Sequence, residues 1–471
     1  MSKFDNEFEN FMEIPRDKYF SLVYKPNDII TPYGKLKIIN ADFTASGLPS
    51  PYVEHNIEKN VYTHYANTHS NAHNGIMMKN MIENVKQNIK KHMNICNDYK
   101  IIFTGSGATA AANLLVNLID YNAYDRVHIF LTLYEHYSNY LPWIEMSKKH
   151  TNVKVHYIPF KVSKKYSEVI DMNWFENTVH EINSITNTNT LILCSVTACS
   201  NVNGAVTDLP KIKNILSLNI INSHIKYYLF ADYACSAPYV NIDGSILDGF
   251  FFSPHKFIGG VATPGILIGR QCVFEKKVPF CPGGGCVKNV HHDVITYSDN
   301  IETKESAGSM NIVGILKLEY ILQIKDKFQD VINNNEKVLH NIIRLKINEF
   351  QKKYSNFKTV LYNNEERHLP IMSFSINKLH YNYIVVLLND IFGIQSRGGI
   401  SCCGKLGEYM DETYDIKGWC RISFHWTMTK MDINKIFTSI EYVINKGHMY
   451  SYLYTYDKQL NLFNFIGKGE Y

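Results

Sequence analysis

The sequence predicts an α/β protein in two unequal parts: a mostly parallel sheet sandwiched by helices, then a smaller C-terminal α+β domain. Three observations carry this. Between about residues 80 and 270, short apolar runs alternate with amphipathic segments. Those runs are continuously apolar and rich in β-formers, as strands buried on both faces must be. After about residue 310 the texture changes to long helical patterns broken by isolated strand-like runs.

The elements follow in order. Residues 1–40 are a mixed N-terminal segment, 41–315 the large domain and 316–471 the small one. Lys79–Lys91 has the spacing of an amphipathic helix. Lys100–Phe103 reads as a short buried strand, Thr109–Ile119 as a helix, Asp125–Leu133 as a strand and Trp143–His150 as a helix. Lys154–Pro159, Thr190–Ser195, Tyr227–Asp232 and Gly249–Ser253 are further strands. Ile312–Asn333 and Glu336–Lys353 predict long helices, with the domain boundary inside the first and no flexible linker. Leu369–Ile376 and Trp419–His425 read as strands, Tyr381–Ile391 as a helix, and Asp432–Lys446 as a capped helix. The Tyr-rich tail, Tyr450–Tyr471, has no clear period; packing on the body and disorder both stay open.

Bulk properties narrow the function. A chain of 471 residues is too long for one simple core. Its 45% hydrophobic and 20% charged content is ordinary for a globular protein. A net charge of +4 gives no argument for nucleic acid or an anionic membrane as partner. No apolar run approaches the ~20 residues of a membrane helix. The polar, acidic N-terminus resembles neither a secretory signal nor a transit peptide. Ten cysteines without a regular framework point to a reducing, cytoplasmic setting. No Cys-x2-Cys pair is present, and Cys281 and Cys286 read as loop residues, so no metal site is expected.

The chemistry lies at the strand ends. Phe103-Thr-Gly105-Ser-Gly107-Ala-Thr109 is a strand, a glycine-rich turn and a helix start, a form that binds anions through backbone N–H groups. Alone it is ambiguous. Gly105-x-Gly107-x-x-Ala110 also fits a dinucleotide fingerprint, with Glu135 placed as a ribose-binding acid, and a dinucleotide-dependent oxidoreductase remains an alternative. Ser253-Pro-His255-Lys256 is more specific. A lysine behind Ser-x-His, one strand after Asp232, suits pyridoxal phosphate: the amine forms a Schiff base, the carboxylate keeps the pyridine nitrogen protonated, and Ser253 and His255 reach the phosphate. His136 and Asn201 end two other strands. In a parallel sheet all these ends face one crevice.

From about Asp42 to Val443 these motifs resemble the class V aminotransferases, pyridoxal-phosphate enzymes of fold type I, in the cysteine desulfurase and selenocysteine lyase branch. The resemblance rests on Gly107-Ala-Thr109, Glu135-His136, Ser200-Asn-Val202, Asp232-x-Ala234 and Ser253-x-His255-Lys256. It extends to Gly283-Gly-Gly285, Gly308-Ser309, Arg397-Gly-Gly-Ile-Ser-Cys402 and Cys420-Arg421. It implies a seven-stranded, mostly parallel sheet and a homodimer with shared active sites. It makes Lys256 the Schiff-base lysine and proton shuttle, and Asp232 the partner of the pyridinium. His136 would stack on the ring and serve as acid or base, and Asn201 would contact the ring hydroxyl. Ala108, Thr109, Ser253 and His255 would bind phosphate, with Ser309 reaching the phosphate of the neighbouring subunit. Arg421 would clamp the substrate carboxylate, with Arg397 and His69 as further substrate residues. Cys402 would take sulfur from the substrate, on a loop that Gly398, Gly399 and Gly404 leave mobile.

The implied activity is removal of sulfur from L-cysteine, giving alanine and an enzyme persulfide that a sulfur-acceptor protein would discharge. Transamination, epimerisation and selenocysteine cleavage are the alternatives within the family. One departure stands out: the family's Gln three residues after the pyridine Asp is here Cys235, a weak hydrogen-bonding group.

Overall fold

The computed structural model describes residues 3–161, 168–362 and 367–467. Its centre is a seven-stranded sheet built from β1 (Tyr99–Thr104), β2 (Arg126–Thr132), β3 (Val153–Ile158), β4 (Thr190–Thr197), β5 (Ile225–Asp232), β6 (Gly249–Phe252) and β7 (Gly265–Arg270), in the order β1-β7-β6-β5-β4-β2-β3. Every pairing is parallel except those of β7, which runs antiparallel to both β6 and β1. The predicted fold class is therefore observed.

The continuously apolar strands have a simple cause. On β5, Leu229 and Ala231 point into one buried cluster and Tyr228 and Phe230 into the other. On the first face lie α1 (His73–His92) and, later in the chain, α4 (Ile312–Lys327). On the second lie α2 (Gly107–Leu118) and α3 (Tyr137–Lys149). Both faces are dry, so no alternation survives.

The C-terminal part has its own hydrophobic cluster, built on α5 (Gln329–Lys353), a four-stranded antiparallel sheet and two helices. The strands are β8 (Phe357–Thr359), β9 (Ile371–Ile376), β10 (Arg397–Gly399) and β11 (Trp419–Ser423), in the order β8-β9-β11-β10. The helices are α6 (Tyr381–Phe392) and α7 (Lys430–Lys446). Phe8, Phe11 and Ile39 from the N-terminal segment, and the adjoining Ala41, pack into this cluster. Thr429 and Asp432 form a reciprocal capping box on α7, which fixes its start.

Several elements differ from expectation. The helix break lies at Phe328, between α4 and α5, where the Phe328 ring packs 5.5 Å from that of Trp426. Helix α3 begins at Tyr137, ahead of the expected Trp143, because the internal Pro142 masks its first turns. Helices Met172–Ile185 and Leu209–Asn219 and strand β7 had no assignment. The Tyr-rich tail packs: β12 (Tyr454–Asp457) and β13 (Leu462–Phe465) form a hairpin against α6, with the Tyr454 hydroxyl 2.9 Å from Asp390 Oδ2. Its last residues, 468–471, lie outside the described residues. No helix among the described residues is long and apolar enough to cross a membrane.

Candidate active site

The C-terminal ends of β1, β2, β4, β5 and β6 open into one cavity of about 560 Å³. Its lining brings together Ala108, Thr109, His136, Asn201, Asp232, Ser253, His255, Lys256, Arg397, Cys402 and Arg421. The topology explains the convergence, since parallel strands deliver all their C-terminal ends to one side.

The anion cradle sits at the end of β1. Gly107 has φ +58, and a Cβ there would stand 2.8 Å from Ser253 Oγ and 3.6 Å from His255 Nε2. Only glycine fits both the backbone and the space. Ser253 Oγ accepts from the Ala108 N–H at 2.7 Å. Ser106 caps α2 with no side-chain bond, and among the described residues the first helix N–H groups meet only the Gly105 carbonyl, 2.8 Å from the Gly107 N, and Ser253 Oγ. A phosphate suits such an end.

Lys256 follows β6 on a short 3-10 turn, and its side chain makes no hydrogen bond or ion pair among the described residues. Burial lowers its pKa; the nearby Cys235 and Asp232 oppose that shift. A partly buried, unpaired amine is suited to a carbonyl partner. Asp232 is 3% exposed, and its Oδ1 accepts from the Ala234 N–H at 2.8 Å. Burial pushes its pKa up to about 6, against the pull of that bond and of Lys256. These residues fit pyridoxal phosphate: an anion cradle at a helix N-terminus, and an amine and a carboxylate that make no ion pair among the described residues.

The Asp232 shift has a sign that can be checked in the cofactor-free protein. The folded state holds the proton more tightly than the unfolded one, so Asp232's contribution to stability declines as pH rises towards about 6. The urea midpoint of Asp232→Asn should therefore rise relative to wild type over that range. Parallel midpoint-versus-pH curves for the two proteins would contradict this.

His136 caps α3. Its Nδ1 accepts from the Ser138 N–H at 3.1 Å, with Ser138 Oγ at the same distance. Ser138 Oγ also lies 2.6 Å from Thr109 Oγ1. Ser138, which sequence reasoning passed over, thus ties the imidazole to the anion cradle. Burial, reinforced by Lys256 and the two arginines, pushes the His136 pKa down to about 4, so the ring is neutral near pH 7.

Glu135 does not face a nucleotide. Its oxygens are buried and accept from Thr132 Oγ1, Asn139 Nδ2 and the Thr197 N–H. That leaves no free carboxylate for a ribose and removes the support for the dinucleotide reading.

Arg421 on β11 is 3% exposed. It donates to Asp42 Oδ1 at 2.7 Å and to the Asn201 carbonyl at 3.1 Å, while its buried Nε has no partner. Arg397 Nε meets the other oxygen of Asp42 at 3.1 Å. Asp42 thus joins both arginines. A lone acid far away in sequence gave no local signal for this.

Cys402 is exposed and its neighbour Cys403 is buried. The glycine-flanked mobile loop expected here is instead a held turn. Gly398 and Gly399 belong to β10, and Gly404 starts a helix. Ser401 and Cys402 have φ of 53 and 56. The Cys402 carbonyl accepts from the Tyr137 N–H at 2.7 Å, and the Ser401 carbonyl accepts from Asn201 Nδ2 at 2.9 Å. Asn201 Oδ1 accepts from the Cys403 thiol at 3.0 Å, and Ser401 Oγ accepts from Trp419 Nε1 at 3.0 Å. The Asn201 side chain, expected on a cofactor ring oxygen, is therefore engaged with this turn. Cys235 lines the cavity in line with the departure noted above, and a hydrogen bond from Cys199 lowers its pKa.

Ser309 and His69 do not join the cavity. Ser309 is exposed in a neighbouring hollow lined by Phe280 and Cys281, and His69 lies beside Gly285 in another. His69 is thus not a lining residue of the Lys256 cavity within this chain. Among the described residues no cluster of three or more His, Cys, Asp or Glu side chains is placed to hold a metal.

The sheet order with its single antiparallel strand, and the lysine and aspartate at adjacent strand ends, define an α/β enzyme of fold type I. The family comparison agrees: the model described as "Aminotransferase class-V" matches residues 39–436, and the chain belongs to this pyridoxal-phosphate-dependent family. Among curated proteins, a cysteine desulfurase of Wigglesworthia glossinidia brevipalpis is 30% identical over 74% of this chain and 78% of its own length. A probable cysteine desulfurase of Borreliella burgdorferi is 27% identical over 74% of this chain and 77% of its own. Among solved structures, the apo cysteine desulfurase of Thermococcus onnurineus NA1 superposes with a TM-score of 0.72 at 20% identity, covering 86% of this chain and 94% of that one. The Escherichia coli cysteine desulfurase CsdA gives 0.71 at 19%, covering 91% and 98%.

Proposed function

We propose that this chain binds pyridoxal phosphate through Lys256 and Asp232 and removes sulfur from L-cysteine, giving alanine and a persulfide on Cys402. The observation that carries the reading is the single cavity lined by Lys256, Asp232, Arg421 and an exposed Cys402. When bound, the cofactor supplies an electron sink for the substrate's Cα and Cβ bonds. Ala108, Thr109, Ser253 and His255 hold its phosphate end, and Asp232 faces its ring nitrogen. His136 is neutral and oriented through Nδ1, which suits ring packing. Arg421, with its unpaired buried Nε, takes the substrate carboxylate, and Asp42 holds that guanidinium in place. The Lys256 amine moves the Cα proton. The Cys402 thiolate attacks the substrate sulfur, the Cβ–S electron pair stays with carbon, and protonated carbon leaves as alanine.

A homodimer belongs to the same reading. Ser309 is exposed, and so is the hairpin of Val287–His291 and Val294–Tyr297 that precedes it in the chain, whose Val290, Val294 and Ile295 are more than half exposed. An apolar hairpin of this kind suits burial against a second copy, bringing Ser309 towards the other cradle. A sulfur-acceptor protein would meet Cys402 at the mouth of the cavity.

The test is a panel of L-amino acids incubated with the cofactor-loaded protein. Alanine and sulfide from cysteine in the presence of a reducing thiol is the expected result. A keto acid, an inverted amino acid, or turnover of selenocysteine alone would reject cysteine desulfuration in favour of transamination, epimerisation or selenocysteine cleavage.

A further inference from the structure

We infer that the C-terminal hairpin is a brace for the Cys402 turn, acting through Asn461, Asn382 and Tyr381 as positioning residues. The hairpin lies beyond residue 436, where the family match ends. Its functional consequence rests on the reading of Cys402 as the sulfur carrier; its geometry does not.

The connection runs in three steps. First, the hairpin grips the start of α6. Asn382 Nδ2 donates to the Asn461 carbonyl at 2.6 Å, and Asn461 Nδ2 donates to the Tyr381 hydroxyl at 3.2 Å. Tyr456 OH steadies Asn461 by donating to its Oδ1 at 2.9 Å. The ring of His380, whose Nδ1 caps α6, packs 5.0 Å from Tyr456 and 5.4 Å from Phe463.

Second, Tyr381 and Asn382 fill the space that two glycines leave open. A Cβ on Gly418 would stand 2.5 Å from Tyr381 Cδ1, and a Cβ on Gly398 would clash with Asn382 Oδ1. Gly398 is in β10, and Gly418 immediately precedes β11. With no side chains of their own there, these strands take their lateral position from the start of α6.

Third, β10 runs directly into the Cys402 turn, while Trp419 at the start of β11 holds Ser401 Oγ. The same strand pair sets Arg397 opposite Arg421. Moving the start of α6 therefore moves both the turn and the substrate arginines. A lateral error of about 1 Å in such a site costs about a hundredfold in rate.

The test uses the cofactor-loaded protein without substrate, so an absence of desulfurase activity leaves it intact. Iodoacetamide labelling of Cys402 is followed by peptide-resolved mass spectrometry, with deuterium uptake over residues 397–403 and the melting temperature measured alongside. Asn382→Ala and a chain ending at Lys446 should each speed Cys402 labelling by about fivefold, the equivalent of one lost hydrogen bond. Uptake over 397–403 should rise, and the cofactor absorbance should stay unchanged. If the shortened chain does not fold, the double variant Asn461→Gly/Phe463→Ala replaces it. Wild-type labelling and uptake in both variants would overturn the brace. So would an effect of Asn382→Ala that the hairpin variant does not reproduce, because the hairpin would then not be its source.

Discussion

Lys256→Ala should yield a folded protein that no longer holds pyridoxal phosphate covalently. The visible absorbance band of the cofactor and its trapping by borohydride should both disappear, and turnover of cysteine should fall by at least about a thousandfold. The structure gives the reason in elementary terms. The Lys256 side chain is partly buried and makes no hydrogen bond or ion pair among the described residues, and desolvation lowers its pKa. Its amine is thus kept closer to the neutral, nucleophilic form while carboxylate and thiol neighbours limit the shift. Removing it deletes the attachment point and the proton-moving base together, and two roles on one atom make the loss large. The fold should survive, because Lys256 makes no bond that holds the structure together. Cofactor still trapped by borohydride in Lys256→Ala would show that another amine carries it and would end the functional reading.

Residues at the ends of parallel strands were legible in the sequence because two local signals coincide there. A continuously apolar run marks the strand, and the polar or glycine residue that stops it marks the crevice. Asp232, His136, Asn201, Ser253, Lys256 and the Gly105–Thr109 turn all read this way, and all line the cavity. What failed were properties set by distant partners. Asp42 meets Arg421 across 379 residues and Asn201 meets Ser401 across 200, which no local pattern reports. The bonds that join the Cys402 segment to Tyr137 and Trp419 are of the same distant kind. Three glycines suggest mobility, and two of them also permit close approach: Gly404 to the Tyr137 ring and Gly398 to Asn382. Strand β7 went unassigned because its short apolar stretch sits between glycines, Gly265 and Gly269, and its antiparallel direction is a property of the sheet. Ser309 and His69 are different again. Their place outside the cavity is a fact about one chain, and the role the family gives Ser309 needs a second.

Cys402→Ala separates the desulfuration reading from its rivals within the family. The variant should bind pyridoxal phosphate with an unchanged spectrum, because Cys402 lies on the C-terminal turn and touches neither the Gly107 cradle nor Asp232. Sulfide and alanine production from cysteine should nevertheless fall by about a hundredfold or more, since the attacking thiolate is gone and water is a poor substitute at sulfur. Cys403 cannot take over. It is buried, its thiol donates to Asn201 Oδ1 at 3.0 Å, and burial raises its pKa well above the ordinary value, all of which keep it protonated and turned from the cavity. Cys403→Ala should accordingly act through position only: it removes a bond to Asn201, loosens the turn and lowers the rate by a few-fold without abolishing the persulfide. The persulfide is read by mass, as a single added sulfur on the Cys402 peptide after incubation with cysteine. Wild-type alanine production by Cys402→Ala would remove the sulfur-transfer role and leave a class V enzyme that needs Lys256, Asp232 and Arg421 but no thiol.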